Sequence, residues 1–159
     1  MRPFKIISVA LLFMTAIGVS VVLANSASFH FANASASGLN LSVAFKETGL
    51  GNSGASSVQI TVDAEGKATY QCFNNGGNHP QAGNKTTVNG PVSGGGEFPV
   101  RNGQTTGVIT VSLPGPGTFS CPGGQHLVLE SGTFSNITIT DVTESDGPIP
   151  TSPNSISVP

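Results

Sequence analysis

Beyond residue 24 no stretch of this chain sustains an apolar period of 3.6, and Gly or Pro interrupts nearly every long run. The period that recurs is two. Leu39, Leu41, Val43 and Phe45 alternate with Asn40, Ser42, Ala44 and Lys46. Val58, Ile60 and Val62 alternate with Gln59, Thr61 and Asp63, and Ala68, Tyr70 and Cys72 with Thr69 and Gln71. Successive strand residues point to opposite faces, so each run reads as a half-buried strand with one wet face. The pattern points to an all-β fold.

Turn chemistry places the remaining strands. Asp63-Ala64-Glu65-Gly66 reads as a type I turn closed by a left-handed Gly, and so as a hairpin. Arg101-Asn102-Gly103-Gln104 is the stronger signal, because Asn-Gly supplies both positive φ values of a type I′ turn. It should join a strand over 96–101 to one over 104–113, with Ile109, Val111 and Leu113 inward. A first strand over 27–32 carries Phe29 and Phe31. Gly90-Pro91 makes 85–93 an edge strand, since Pro cannot donate to a ladder. Leu127 and Leu129 mark one late strand and Ile137 and Ile139 another, with Phe134 out of phase and beyond a bulge.

The two ends read differently. Arg2 and Lys5 precede an uncharged stretch from Ile6 to Ala24, and Val22 and Ala24 sit at −3 and −1 of a cleavage site before Asn25. Residues 1–24 are therefore expected to be a signal peptide. An uncleaved anchor is the alternative, since the stretch could just cross a bilayer. Residues 25–144 form the expected β-sandwich domain. From Ser145 the chain carries Pro148, Pro150, Pro153 and Pro159 among few large apolar groups, so 145–159 is expected to be a flexible Pro/Ser-rich tail.

Charge limits the partners. Lys and Arg number 6 against 8 Asp and Glu, which is too little positive charge to neutralise a run of phosphates. The expectation is no nucleic acid, no membrane contact once the signal is removed, and an unidentified extracellular ligand. The two cysteines follow an export signal, so Cys72 and Cys121 are expected to form a disulfide in an oxidising compartment, bridging neighbouring strands or the two sheets. The glycines of Gly49-Leu50-Gly51-Asn52-Ser53-Gly54 match a dinucleotide pattern, but a strand follows where that motif requires a helix N-terminus. An interstrand loop is the better reading. The two Met residues both lie in the signal, which leaves no axial ligand for a blue-copper site.

Asp141, Glu144 and Asp146 cluster where the last strand ends. Their oxygens suit Ca²⁺, but no loop-type calcium motif accompanies them, so a solvated chain exit is expected and no metal or other cofactor is assigned. No carboxylate pair or Gly-x-Ser-x-Gly elbow announces a catalytic residue. A ligand-binding loop is expected between Cys72 and Lys85, where Asn74, Asn75, Asn78, His79, Gln81 and Asn84 set amide donors and acceptors among glycines.

Tyr70-Gln71-Cys72 after Asp63 resembles an immunoglobulin strand, although it precedes the first Cys and the chain has no Trp. The architecture carries over and the family does not. The expected fold is an immunoglobulin-like antiparallel β-sandwich of about eight short strands with one disulfide. From Ala68 to about Thr143 the segments Tyr70-Gln71-Cys72-Phe73-Asn74-Asn75, Asn84-Lys85-Thr86-Thr87-Val88, Cys121-Pro122-Gly123 and Ile137-Thr138-Ile139-Thr140-Asp141 are similar to a group of small exported bacterial β proteins with two Cys and no assigned activity. The resemblance implies export and a two-Cys core, and it supplies no catalytic residue. The functional expectation is a secreted non-catalytic module that binds a soluble glycan or a protein partner through interstrand loops. The alternative is a small secreted hydrolase.

Overall fold

The computed structural model describes residues 27–74, 76 and 84–158. The expected signal segment lies outside these residues. Among the described residues the chain forms eight strands in two antiparallel sheets. The smaller sheet runs β1 (Ser28–Ser37), β2 (Asn40–Thr48), β5 (Gln104–Ser112). The larger runs β4 (Lys85–Pro99), β3 (Ser57–Asn74), β6 (Gln125–Asp141), and its far edge is shared by β7 (Asp146–Pro150) and β8 (Ile156–Val158). The all-β sandwich is as the periodicity implied, and the one disulfide joins the two cysteines expected to pair.

The core lies between the sheets and follows the alternation. Leu41, Val43 and Phe45 of β2 meet Val58, Ile60 and Val62 of β3, with Ile109 and Val111 of β5 and Phe134, Ile137 and Ile139 of β6. Each large aliphatic or aromatic side chain so buried contributes about 1.5–3 kcal/mol. Phe29 and Phe45 meet edge to face, and so do Phe45 and Phe98, at 4.9 Å between ring centroids. Gly107 pairs with Phe45 and leaves the niche for these rings. A Cβ there would stand 2.2 Å from Phe98 Cε1 and 3.0 Å from Phe45 Cε1. Gly107→Ala should therefore cost about 1–3 kcal/mol by overpacking. A lower urea midpoint at unchanged slope would register it, and an unchanged midpoint would contradict this packing.

Several elements differ from the sequence reading. Asp63–Gly66 is not a turn, because these residues pair with Ser93, Val92, Pro91 and Gly90 inside one continuous strand of 18 residues. The inward phase of Val62, Ala64, Gly66 and Ala68 is never broken, and that outweighs the local turn composition. The segments 85–93 and 96–101 likewise belong largely to the single edge strand β4, and the two late strands are the single strand β6. The strands are thus longer than expected. β6 absorbs its phase changes in two irregularities, one at Glu130 and one at Asn136–Ile137, where Asn136 has φ 52°. The expected bulge between Phe134 and Ile137 is the second of these. At the first strand, a register shift between Phe29 and Phe31 turns Phe29 inward and leaves Phe31 exposed.

The Arg101–Gln104 turn has both positive φ values, at Asn102 and Gly103, and the two flanking residues exchange backbone hydrogen bonds. Its strands then part, β4 into the larger sheet and β5 into the smaller, so the turn forms a corner of the sandwich.

The segment 145–159, expected as a loose tail, is instead structural up to Val158. β7 and β8 pair with β6, Val158 is buried, and Ile149 and Ile156 pack on the core. Pro148 and Pro150 are tolerated because β7 is an outer strand. Between β7 and β8, Ser152 N donates to Ala32 O at 2.8 Å and Ala34 N to Ser152 O at 3.0 Å. These bonds tie the segment between β7 and β8 to the open edge of β1 at Asn33 and occupy that part of the edge.

Candidate functional site

The sandwich has two chemically distinct ends. At one end β3 finishes and β6 begins. Cys72 of β3 is fully buried and bonded to Cys121, with Cα atoms 5.6 Å apart. Cys121 lies between β5 and β6 rather than on a strand, so the bridge joins a strand to the connection at 113–124 and not strand to strand or sheet to sheet as expected. That connection follows no ladder of its own, which frees Cys121 to reach β3.

Of the expected binding loop, Asn75, Asn78, His79 and Gln81 lie outside the described residues. Asn74 and Asn84 form its base. Asn74 is exposed and in register with Gln125. Asn84 O accepts from Cys72 N at 3.0 Å, and Asn84 Nδ2 donates to Gln125 Oε1 at 3.2 Å. The loop therefore leaves and returns beside the disulfide. Gln125 joins this amide group without any local sequence signal. Next to it lies an apolar groove of about 440 Å³, lined by Leu39, Tyr70, Leu113, Pro116, Leu127 and Leu129 among others. Leu39 and Leu127 are exposed at 42% and 37%. Tyr70 presents little of its ring, because it is buried and its hydroxyl donates to Pro114 O at 2.9 Å. Burial pushes the Tyr70 phenol above its ordinary value.

At the opposite end three acids from both sheets meet. Glu47 of β2 and Asp141 of β6 are fully buried. Asp141 pairs with Asp146 across the turn 142–145. Asp141 Oδ1 accepts from Thr143 N at 2.7 Å and Glu144 N at 3.1 Å. The Asp141 and Glu47 carboxyls are close enough to act on one another electrostatically. Two ionised carboxylates cannot donate to one another. Glu47 Oε1 and Oε2, Asp141 Oδ2 and Asp146 Oδ2 are accordingly buried without a donor. Burial first, and then the charge of Asp141, raises the Glu47 carboxyl from 4.5 to about 8. Asp146 is raised by burial and by Asp141, against a backbone hydrogen bond from Phe29 that lowers it.

The solvated chain exit expected at Asp141, Glu144 and Asp146 is thus corrected: Asp141 is sealed in the core and part of Asp146 with it. The reason is phase, since Asp141 continues the inward positions Ile137 and Ile139. Glu47 was absent from that sequence grouping. A signal was present, because it follows Leu41, Val43 and Phe45 in the inward phase of β2. Glu47 and Asp141 have no solvent face for a substrate to reach, so as they stand they cannot serve as the facing carboxylates of a glycosidase. Gly49–Gly54 is an interstrand connection with one 3-10 turn at Leu50–Asn52, and the strand β3 follows it. No protein-family model matches the chain, nor does any curated protein or solved structure.

Proposed function

We propose that the chain is an exported, non-catalytic extracellular module with an immunoglobulin-like sandwich, and that it binds a protein partner at the disulfide-stapled end. The observation that carries this reading is the groove lined by Leu39, Leu127 and Leu129, in which Leu39 and Leu127 are exposed and Leu127 stands two residues along β6 from Gln125, the partner of Asn84. A disulfide-fixed rim lowers the ordering cost of binding. Apolar contact with a polar rim is what a protein partner offers. A glycan would want an open aromatic face, and the Tyr70 ring is turned into the core. The disulfide is compatible with an oxidising compartment outside the cytosol. Export and the two-Cys core also agree with the resemblance to small exported β proteins.

A photo-crosslinking side chain placed at Leu127 in the exported protein tests the reading. It should capture one discrete protein partner in the producing culture. The same side chain at Val108, which is exposed on β5, should not. Equal capture at the two positions, or no capture at Leu127, would remove the groove as the binding surface. Leu39→Asp, introduced into the protein that carries the Leu127 crosslinker, should reduce capture at least tenfold while the disulfide and the unfolding transition persist.

A further inference from the structure

The acid end of the sandwich is chemically unfinished. A folded protein rarely leaves buried polar atoms without partners. Here four carboxylate oxygens, from three side chains on two sheets, have none. Glu47 is the telling member. It is fully buried, both its oxygens lack a donor, and it reaches across from the smaller sheet toward Asp141 of the larger. No Lys or Arg side chain forms an ion pair with any of the three among the described residues. We propose that Glu47, Asp141 and Asp146 bind a single Ca²⁺ ion that joins the two sheets at the end opposite the disulfide.

The donor set selects the metal. All the unpartnered atoms are carboxylate oxygens, which suit a hard cation. Zn²⁺ prefers nitrogen and sulfur, and both cysteines are already bonded to each other. Mg²⁺ demands near-ideal octahedral geometry and holds its waters, whereas Ca²⁺ accepts irregular oxygen shells of six to eight ligands. Among the described residues no three such side chains already converge on one point. A single ion bound by all three therefore requires the Asp146 carboxylate to turn toward Glu47 and Asp141. Asp146 is only half-buried and sits directly after the turn at 142–145, whose residue Ser145 has φ 59°. Asp141 is held already, by the amides of Thr143 and Glu144 on its other oxygen. Extracellular calcium modules operate at dissociation constants of about 10⁻⁴–10⁻³ M.

The test uses the exported protein, stripped with a chelator, desalted and kept at pH 7.5. Isothermal titration with CaCl₂ should show one site per chain, with a dissociation constant below about 1 mM. Adding 10 mM CaCl₂ should raise the melting temperature by roughly 5–10 °C, and MgCl₂ by much less. Glu47→Gln keeps the shape and should lose the heat and the shift together. Asp146→Asn, at a half-buried position the core does not depend on, should weaken binding at least tenfold and serves if Glu47→Gln fails to fold. The proposal is overturned if wild type shows neither heat nor thermal shift up to 10 mM Ca²⁺, or if Asp146→Asn binds as tightly as wild type.

Discussion

Replacing Cys72 and Cys121 together by Ala should lower the stability of the folded protein by about 4 kcal/mol. The bridge closes a loop with a sequence separation of 49, and on the chain-entropy account such a loop restricts the unfolded chain by about that amount. The damage should be local as well as global. Among the described residues few other hydrogen bonds hold the connection 113–124: Leu113 N donates to Leu39 O, Tyr70 Oη to Pro114 O, Phe119 N to Pro116 O, and Gln125 N to Pro122 O. Without the bridge the residues around Cys121 are free to lift away from β3, and Pro116 leaves the groove wall with them. Urea unfolding of the double variant gives the global term. Limited proteolysis gives the local one, as new cleavage between 114 and 122 before any cut in β3 or β6. A stability loss below about 1 kcal/mol with no new cleavage would mean that the connection is held by other contacts. The groove should suffer with its wall, so capture by the Leu127 crosslinker should fall in the same variant.

How far the sequence revealed this arrangement depended on whether the deciding interaction was local. β2 was legible because Leu41, Val43 and Phe45 alternate without interruption. The Asn102-Gly103 corner was legible because only a few residues accept two consecutive positive φ values. The continuity of β3 through Asp63–Gly66 was hidden, because a turn-like composition is a local cue and the ladder to β4 and β6 is not. The pairing of β7 and β8 was hidden in the same way. Four prolines suggest a loose end, yet the outer strand β7 tolerates Pro148 and Pro150, and the edge of β1 takes up the segment that follows. Half of the acid site could be read. Asp141, Glu144 and Asp146 stand close in sequence, but their burial and their meeting with Glu47 follow only from stacking the two sheets. An acid in the inward phase of an otherwise apolar strand is the signal that carries over to other chains.

In calcium-free solution the protein should lose stability as pH rises from 5 to 9, against the usual expectation that neutral pH favours a folded acidic domain. The Glu47 carboxyl is raised to about 8 in the folded protein from an ordinary value of 4.5. The folded state therefore holds a proton that the unfolded state has released anywhere between those two values. Stability tied to that proton is fully present below about pH 4.5 and is lost as pH passes through about 8. The raised Asp146 carboxyl acts in the same direction. The protonated Glu47 can donate to Asp141 Oδ2, which satisfies two of the otherwise orphaned atoms. Relaxation of the protein around the ionised carboxylates reduces the full linkage value, leaving roughly 2–4 kcal/mol across the window. Thermal unfolding in chelator at pH 5, 7 and 9 measures this, and the range stops short of the raised Tyr70 phenol. Glu47→Gln should flatten the profile, because the amide keeps the hydrogen bond to Asp141 and cannot ionise. At pH 9 the variant should then be more stable than chelated wild type, and at pH 5 the two should be alike. A wild-type melting temperature that stays level or climbs from pH 5 to pH 9 would show that Glu47 is already ionised in the folded chain and that its charge is compensated by something other than a proton.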